Sequence, residues 1–599
     1  MIAGLLLPVL PVAAQVRVGD LSTDLSGNLS LGYNATYGNM TPSTHEWVVG
    51  GAATFSGSYY DPNFLSFNAS FYLNQGRANS NFQSISNASG VNLTSTIFGG
   101  SHYPGSINFS KSYNSEGNYA VPGIADYVTH GDSDTFGITW AANVPNKPSV
   151  SAGFQMGKSN YSVYGTNEQG NNAFHSFNLH SAYNVSGFNM GAYYNVGNSH
   201  SLVPQLVAGE QSSEIHSNSD GLGFNVAHQL PMQGTVSATI NRSSWNSDYL
   251  GFHSNGTIDI VSGLAAVHPT EKMSATATVS YSDNLAGQLY QTVVPVGGAA
   301  PGVNLNQTSN SLDILGVATY TPAKFLQTSA TAEFRNQYYL GESYGVQSYG
   351  GSASYSRELL AGSFNASLNM TDNISNNTGE NTLGFSTNTN YSSVVAGWHV
   401  NGAFGYAQNV QTLLVTYMNS FYTYSGNIRR NWGQFNISAG AGAERTGLTQ
   451  QTGTLNSSQS YNATIGYGAI ITANGSYSKS TGQALATGSG LVPVPPPGLP
   501  SNDVIFFGGD SYSMGLSSSP IKHLVIAAAY AKSLSNTAGQ NGTSANHNNQ
   551  FNTLLQYQVR KLSFISGYAR LEQGFTGSGT TPESISSFYV GLSRWFNFF

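Results

Sequence analysis

The sequence predicts an all-β protein: a single large antiparallel up-and-down β-barrel of about 28 strands, within a range of roughly 24–28. Three observations predict it. Apolar and polar residues alternate with a period of two along most of the chain, which gives each strand one apolar face. Charged residues make up only 8% of the 599 residues, yet hydrophobic residues reach no more than 40% and the mean hydropathy is −0.19. Soluble domains carry about 25% charged residues, and a helical membrane protein would be far more apolar. The remaining solution is a transmembrane barrel, apolar outside and uncharged but polar inside, with 69 Gly, 36 Tyr and 30 Phe supplying turns and interfacial girdles. Finally, short turns alternate with long polar loops. A soluble all-β chain of this length would divide into several domains, and no linker divides this one.

Met1 to Ala14 is an apolar run ending in Val12-Ala13-Ala14, which suits signal-peptidase cleavage before Gln15. Pro8 and Pro11 interrupt it, and it is too short to cross a bilayer. No Lys or Arg precedes it, which points to a start upstream of Met1. The expected organisation is therefore a signal peptide at 1–14 and a barrel at 15–599. The absence of cysteine excludes disulfides, thiolate metal sites and covalent c-type haem attachment.

Alternation starts at once, with Leu25, Leu29, Leu31, Tyr33, Ala35 and Tyr37 in one parity and Ser26, Asn28, Ser30, Asn34 and Thr36 in the other. Trp47, Val49, Ala53, Phe55 and Tyr59 form the next strand, Leu65, Phe67, Ala69, Phe71 and Leu73 the third, and Val91, Leu93 and Ile97 the fourth. About 13 short turns punctuate the chain, including Tyr60-Asp61-Pro62-Asn63, the segments around Pro104-Gly105 and Lys147, Tyr391 to Val394, Asn427 to Gly433, and Gln558 to Ser563. Two strands per turn plus the first and last give about 28, an even number as barrels of this kind require.

The last stretch, Tyr589 to Phe599, places Val590, Leu592, Phe596 and Phe598 in one parity and Gly591, Ser593 and Asn597 in the other, with Arg594 among the apolar set. A strand of this pattern closing on a terminal phenylalanine resembles the closing strand of Gram-negative outer-membrane β-barrels. That resemblance implies location in the bacterial outer membrane and recognition of Trp595, Phe596, Phe598 and Phe599 by the barrel-assembly machinery. It also implies contact with outer-membrane lipid and lipopolysaccharide, short turns and both termini on the periplasmic side, and long loops outside.

The first strand begins within about ten residues of the expected cleavage site, so no plug of the kind TonB-dependent transporters carry is expected. At about 4.8 Å between strands and a tilt near 40°, about 28 strands make a ring roughly 55 Å across if circular. A bore of that width needs narrowing by flattening, inward loops or a partner. Two loops with apolar Val-Pro-Val cores are candidate constriction or docking segments: Val293, Val294, Pro295 and Val296 in one, Val492, Pro493, Val494 and Pro495 in the other. Basic residues gather near the short turns, giving a candidate periplasmic rim of Lys147, Lys324, Arg357, Arg429, Arg430, Lys522, Arg560 and Lys561, whereas acids gather in the long loops. Such a distribution could steer cations inward or dock an acidic periplasmic protein.

Catalytic readings find little. The 13 histidines are scattered singly, and His175 and His180 fall on opposite faces of a strand. No metalloprotease helix, nucleophile elbow, phosphate loop or dinucleotide fingerprint is present. Asp126, Asp132 and Asp134 are a candidate calcium group without EF-hand spacing. The lumen parity is expected to consist of Ser, Asn, Thr, Gly and Gln, with no cluster of opposed charges. The chain therefore reads as a non-enzymatic outer-membrane pore or conduit for polar solutes, with no cofactor and no nucleic-acid partner expected. A large plugless barrel is also similar to the porin component of porin-cytochrome conduits. That resemblance implies the alternative, a scaffold sheathing a periplasmic or multihaem cytochrome partner for electron transfer or export, with no haem of its own.

Overall fold

A computed structural model of the chain describes residues 16–597 apart from 40–41, 76–87, 120–126, 165–168, 204–211, 250–251, 289–307, 340, 378, 416–417, 448–455, 469, 488–489, 494–503, 540–541 and 577–582. The described residues form thirty strands in one sheet. Two are appendages: Val16–Val18 folds back on Leu21 to Thr23, and Gly490–Pro493 folds back on Ala484 to Thr487. The other 28 each pair antiparallel with their chain neighbours and close into a ring. Closure is made by Leu21–Gly38 against Glu583–Asn597, in a register that sets Ser26 opposite Asn597, Leu31 opposite Leu592 and Gly38 opposite Ile585. A closed ring leaves no unpaired edge, and in lipid that is the condition for strands to span at all.

Thirteen short connections join the strands at one end of the barrel. The tightest are two residues long, and at Ser186-Gly187 (51° and 82°) and Ala396-Gly397 (51° and 81°) both positions have positive φ. Both central residues at positive φ make the turn whose twist matches that of the flanking strands, and glycine takes the second position without a Cβ penalty. Two expected turns are displaced. Tyr391 to Val394 stays inside the strand Asn381–Val395, with the turn at Ala396-Gly397, and Arg429 and Arg430 belong to the strand Met418–Trp432, with the turn at Gly433-Gln434. In both places the chain turns where glycine supplies the conformation, two or three residues beyond the polar cluster.

The period-two pattern becomes two faces. Leu29, Val49, Phe71, Leu222, Phe224, Ile240, Leu368, Phe404 and Met514 point outward and remain exposed in the isolated chain. Register places them side by side: Leu222 with Tyr194, Ile240 with Val261, Phe404 with Tyr424. A continuous outward belt of this size is stable only against lipid. At the short-turn end the belt finishes in aromatic and arginine contacts. Arg357 lies over Phe325 at 5.5 Å, Arg430 over Trp398 at 5.5 Å and Trp432 at 6.0 Å, and Arg594 over Phe596 at 5.2 Å. Each guanidinium keeps a polar edge for the headgroup layer while its stem lies on apolar surface.

The opposite parity faces the lumen and is tied together by hydroxyls and amides. Ser112 meets Ser133 at 2.7 Å, Ser329 meets Ser352 at 2.6 Å, Ser478 meets Ser511 at 2.6 Å, and Ser348 donates to Asn373 Oδ1 at 2.7 Å. Cross-strand pairs of this type link neighbours on the inner face without charge.

Candidate functional site

Three inward contacts narrow the lumen, and all lie at the long-loop end. In the first, the long-loop ends of the paired strands Tyr127–Ala142 and Ser149–Val163 meet the inner face of Leu562–Thr576. Gln573 is fully buried there; its Oε1 accepts from Val128 N at 3.0 Å, and its Nε2 donates to Val128 O and Tyr164 O, each at 2.8 Å. Val128, Tyr164, Ala569, Leu571 and Ile585 pack around that amide as an apolar cluster. The two strands stand seven and eight places from Leu562–Thr576 on a ring of 28. On a circle roughly 55 Å across, strands a quarter-turn apart stand about 39 Å apart. The mouth is therefore drawn in from a circle at this point, and a buried amide with every polar partner satisfied holds it.

In the second contact, the segment after Trp398–Gln411 reaches back to the inner face of Leu326–Tyr339. Val415 N donates to Gln337 Oε1 at 2.9 Å, while Gln337 Nε2 donates to Leu413 O at 2.7 Å and Ser311 Oγ at 3.2 Å. Two residues away, Arg335 donates to Thr412 O at 2.8 Å, lies 3.4 Å from Asp313 and pairs with Glu333. Asp313, Glu333 and Arg335 all belong to the lumen parity, opposite in phase to the outward-facing Ile314 and Phe334. This corrects the expectation of a lumen without a charge cluster. Register brings together three residues from two strands that composition leaves scattered.

The third contact is a helical turn. After the strand Met273–Ser282, Asn284 caps residues 285–288 by accepting from Gly287 N at 2.8 Å, and Ala286 N donates to Ser309 Oγ at 3.0 Å. Leu285 and Ala286 are buried, and a Cβ on Gly287 would stand 2.5 Å from Trp245 and 2.9 Å from Ile258, both on lumen-facing positions. Only glycine permits that approach.

The residues singled out from the sequence fall as follows. Val293, Val294, Pro295 and Val296 lie outside the described residues. Val492 and Pro493 belong to the short strand that folds back on Ala484 and Leu485, and Val494 and Pro495 lie outside the described residues. Lys147, Lys324, Lys522, Arg560 and Lys561 occupy the short turns. Arg429 stands on the lumen parity, whereas Arg357 and Arg430 face outward onto aromatic rings. Trp595 sits opposite Asn28 on the lumen parity and Phe596 opposite Gly27 on the outward one, while Phe598 and Phe599 lie outside the described residues. Asp134 is engaged by Lys111 at 3.3 Å and Lys158 at 3.5 Å, and Asp132 accepts from Asn114 N at 2.9 Å. Both carboxylates are therefore engaged by groups on neighbouring strands. Asp126 lies outside the described residues.

Beyond the Arg335 group, the described lumen-parity positions include Asp24, Glu46, Glu342, Glu358, Glu444 and Glu583 against Arg429. The inner field therefore leans acidic.

The closed ring, the outward apolar belt and the polar lumen define a large β-barrel of outer-membrane type. No protein-family model and no curated sequence matches the chain. Among solved structures, it is similar in fold to a ferric enterobactin receptor (PfeA) variant from Pseudomonas aeruginosa, at 8% identity and a TM-score of 0.38 over 96% of this chain and 80% of that one. It is also similar to the copper transporter OprC, at 11% identity and a TM-score of 0.35 over 97% and 81%, and to the outer-membrane transporter YddB from Escherichia coli, at 10% and 0.34 over 78% and 76%.

Proposed function

We propose that the chain is an outer-membrane pore for polar solutes, with its short turns and termini on the periplasmic side and its narrowed mouth outside. The observation that supports this reading is the combination of a hydroxyl- and amide-lined lumen with three inward contacts gathered at one mouth. A wall of neutral hydrogen-bonding groups replaces the hydration of uncharged polar solutes without trapping them, and narrowing by wall-to-wall contacts supplies the size limit that a bare ring would lack. The acidic lean of the lumen favours cations over anions. Short turns on the periplasmic side follow the general arrangement of such barrels.

The test is planar-bilayer recording of the purified barrel. A self-sufficient pore gives steady, modest conductance with a cation-leaning reversal potential. A barrel that is noisy or very leaky alone, and is silenced by a periplasmic or multihaem cytochrome partner, would instead establish the scaffold reading. A sealed, non-conducting barrel would overturn both.

A further inference from the structure

The two paired strands Phe188–Val203 and Ser213–Leu230 carry His200, Glu214 and His216 to one place on the barrel's outer surface. Register sets His200 directly opposite His216 and Leu202 opposite Glu214. These positions share the outward parity of Tyr194 and Leu222 lower on the same strands. Ser213–Leu230 has 18 residues. About 9–11 residues suffice for a tilted strand to cross the hydrocarbon. Measured from its short-turn end at Leu230, Glu214 and His216 stand beyond the apolar belt, on the long-loop side.

His200 Nε2 lies 2.8 Å from Glu214 Oε1, and His216 Nε2 lies 3.4 Å from the same oxygen. The two imidazoles stack with centroids 4.2 Å apart at 22°. Each residue offers one ligand atom, and all three atoms lie within 4.8 Å of one another. An ion bonded at about 2.0–2.2 Å to nitrogen and oxygen in tetrahedral geometry needs its ligands about 3.3 Å apart. The observed separations bracket that figure, so side-chain rotation alone would admit an ion, with the backbone held by the ladder. The side chains are 37%, 62% and 53% exposed for His200, Glu214 and His216, which leaves the site open to solvent.

Asp248 stands opposite His216 on the next strand, and Asp220 lies lower on the same face. His175 is opposite Asn198, and the nearby cation Arg242 lies 3.6 Å from Asp259. The local balance is therefore negative.

We propose that His200, Glu214 and His216 form a surface site for one divalent transition-metal ion of the zinc, nickel or copper class. Two imidazoles and one carboxylate are borderline nitrogen and oxygen donors, which select such ions over calcium and magnesium, whose sites are built from oxygen. Three protein ligands leave a position for water or an external ligand. The ion also ties two adjacent strands together above the membrane. The site is independent of the pore reading, since it lies on the opposite face of the wall.

The experiment uses the full-length, untagged barrel in detergent, stripped with chelator. Calorimetric titration with Zn²⁺ is expected to show one ion per chain. Affinity should fall by about 100-fold in His200→Ala and in His216→Ala, and by about 10-fold in Glu214→Gln. Cu²⁺ loaded at one equivalent should show nitrogen hyperfine structure from imidazole in its paramagnetic resonance spectrum, lost in the double histidine variant. Heat-modifiable gel mobility checks that each variant is a closed barrel. Should an alanine variant fail to close, His200→Gln or His216→Gln takes its place. Zn²⁺ binding unchanged in these variants, or no binding above the detergent blank, would overturn the site and leave a hydrogen-bonded triad only.

Discussion

Gln573 is the residue whose replacement most directly tests the narrowed mouth. Its side-chain amide makes three hydrogen bonds across the lumen to the backbone of Val128 and Tyr164. Each contributes about 1 kcal/mol net, so Gln573→Ala should weaken the contact by about 3 kcal/mol. At 1.4 kcal/mol per decade, the ratio of closed to parted walls falls roughly 100-fold. The loss is realised through opening, because Val128 N loses its acceptor and regains one by reaching water, while Val128 O keeps only the longer bond from Tyr164 N at 3.3 Å. Gln573→Glu separates hydrogen bonding from shape: it keeps an acceptor for Val128 N but sets a carboxylate against two carbonyl oxygens. It should part the walls at least as fully. Single-channel recording reads the outcome as higher mean conductance and more frequent transitions in both variants, with unchanged heat-modifiable mobility. Conductance and noise equal to those of the parent in both would refute the wall-to-wall contact as a determinant of the bore.

The second inward contact predicts a separate increment: Gln337→Ala frees Leu413 and Val415, and its conductance gain should add to that of Gln573→Ala because the two share no partner. Replacing Arg335 by Gln leaves Asp313 and Glu333 without their cation, so the reversal potential in a KCl gradient should move further towards cation selectivity; an unmoved potential would place this group off the conduction path. Deleting Trp595 to Phe599 removes the pairs with Asn28 and Gly27, and should reduce membrane insertion, read by heat-modifiable mobility, far more than deleting five residues from a long loop. Equal insertion would remove the assembly role of the closing strand.

Much of the architecture is legible in residue order because a strand's faces are set by a period of two, and that period does not depend on partners. Leu25 to Tyr37 and Val590 to Phe596 fall on the faces their parity assigns, and the turns fall at or within a few residues of the Gly, Pro and charged clusters. The turn misplaced at Tyr391 to Val394 shows the limit. Ser-rich stretches signal turns weakly, and the positive φ values are borne by Ala396 and Gly397.

The candidate sites were less legible. Asp313 and Arg335 are distant in sequence, as are His200 and His216, and spacing along one chain does not encode which residues of neighbouring strands stand opposite. Arg335 meets Asp313, and His200 meets His216, only because the ladder fixes one register among several that the same alternation allows. Gln573 could not be placed at all, since its partners lie seven and eight strands around the ring.

The sequence by itself determined that this is a closed, membrane-facing barrel of about 28 strands, because alternation, sparse charge and turn spacing are local properties that each segment carries alone. Only the tertiary structure decided where the ring is drawn in, which charges meet inside it and which histidines meet outside. Ring closure and the Gln573 contact join segments hundreds of residues apart, and register decides which residues of neighbouring strands stand opposite one another.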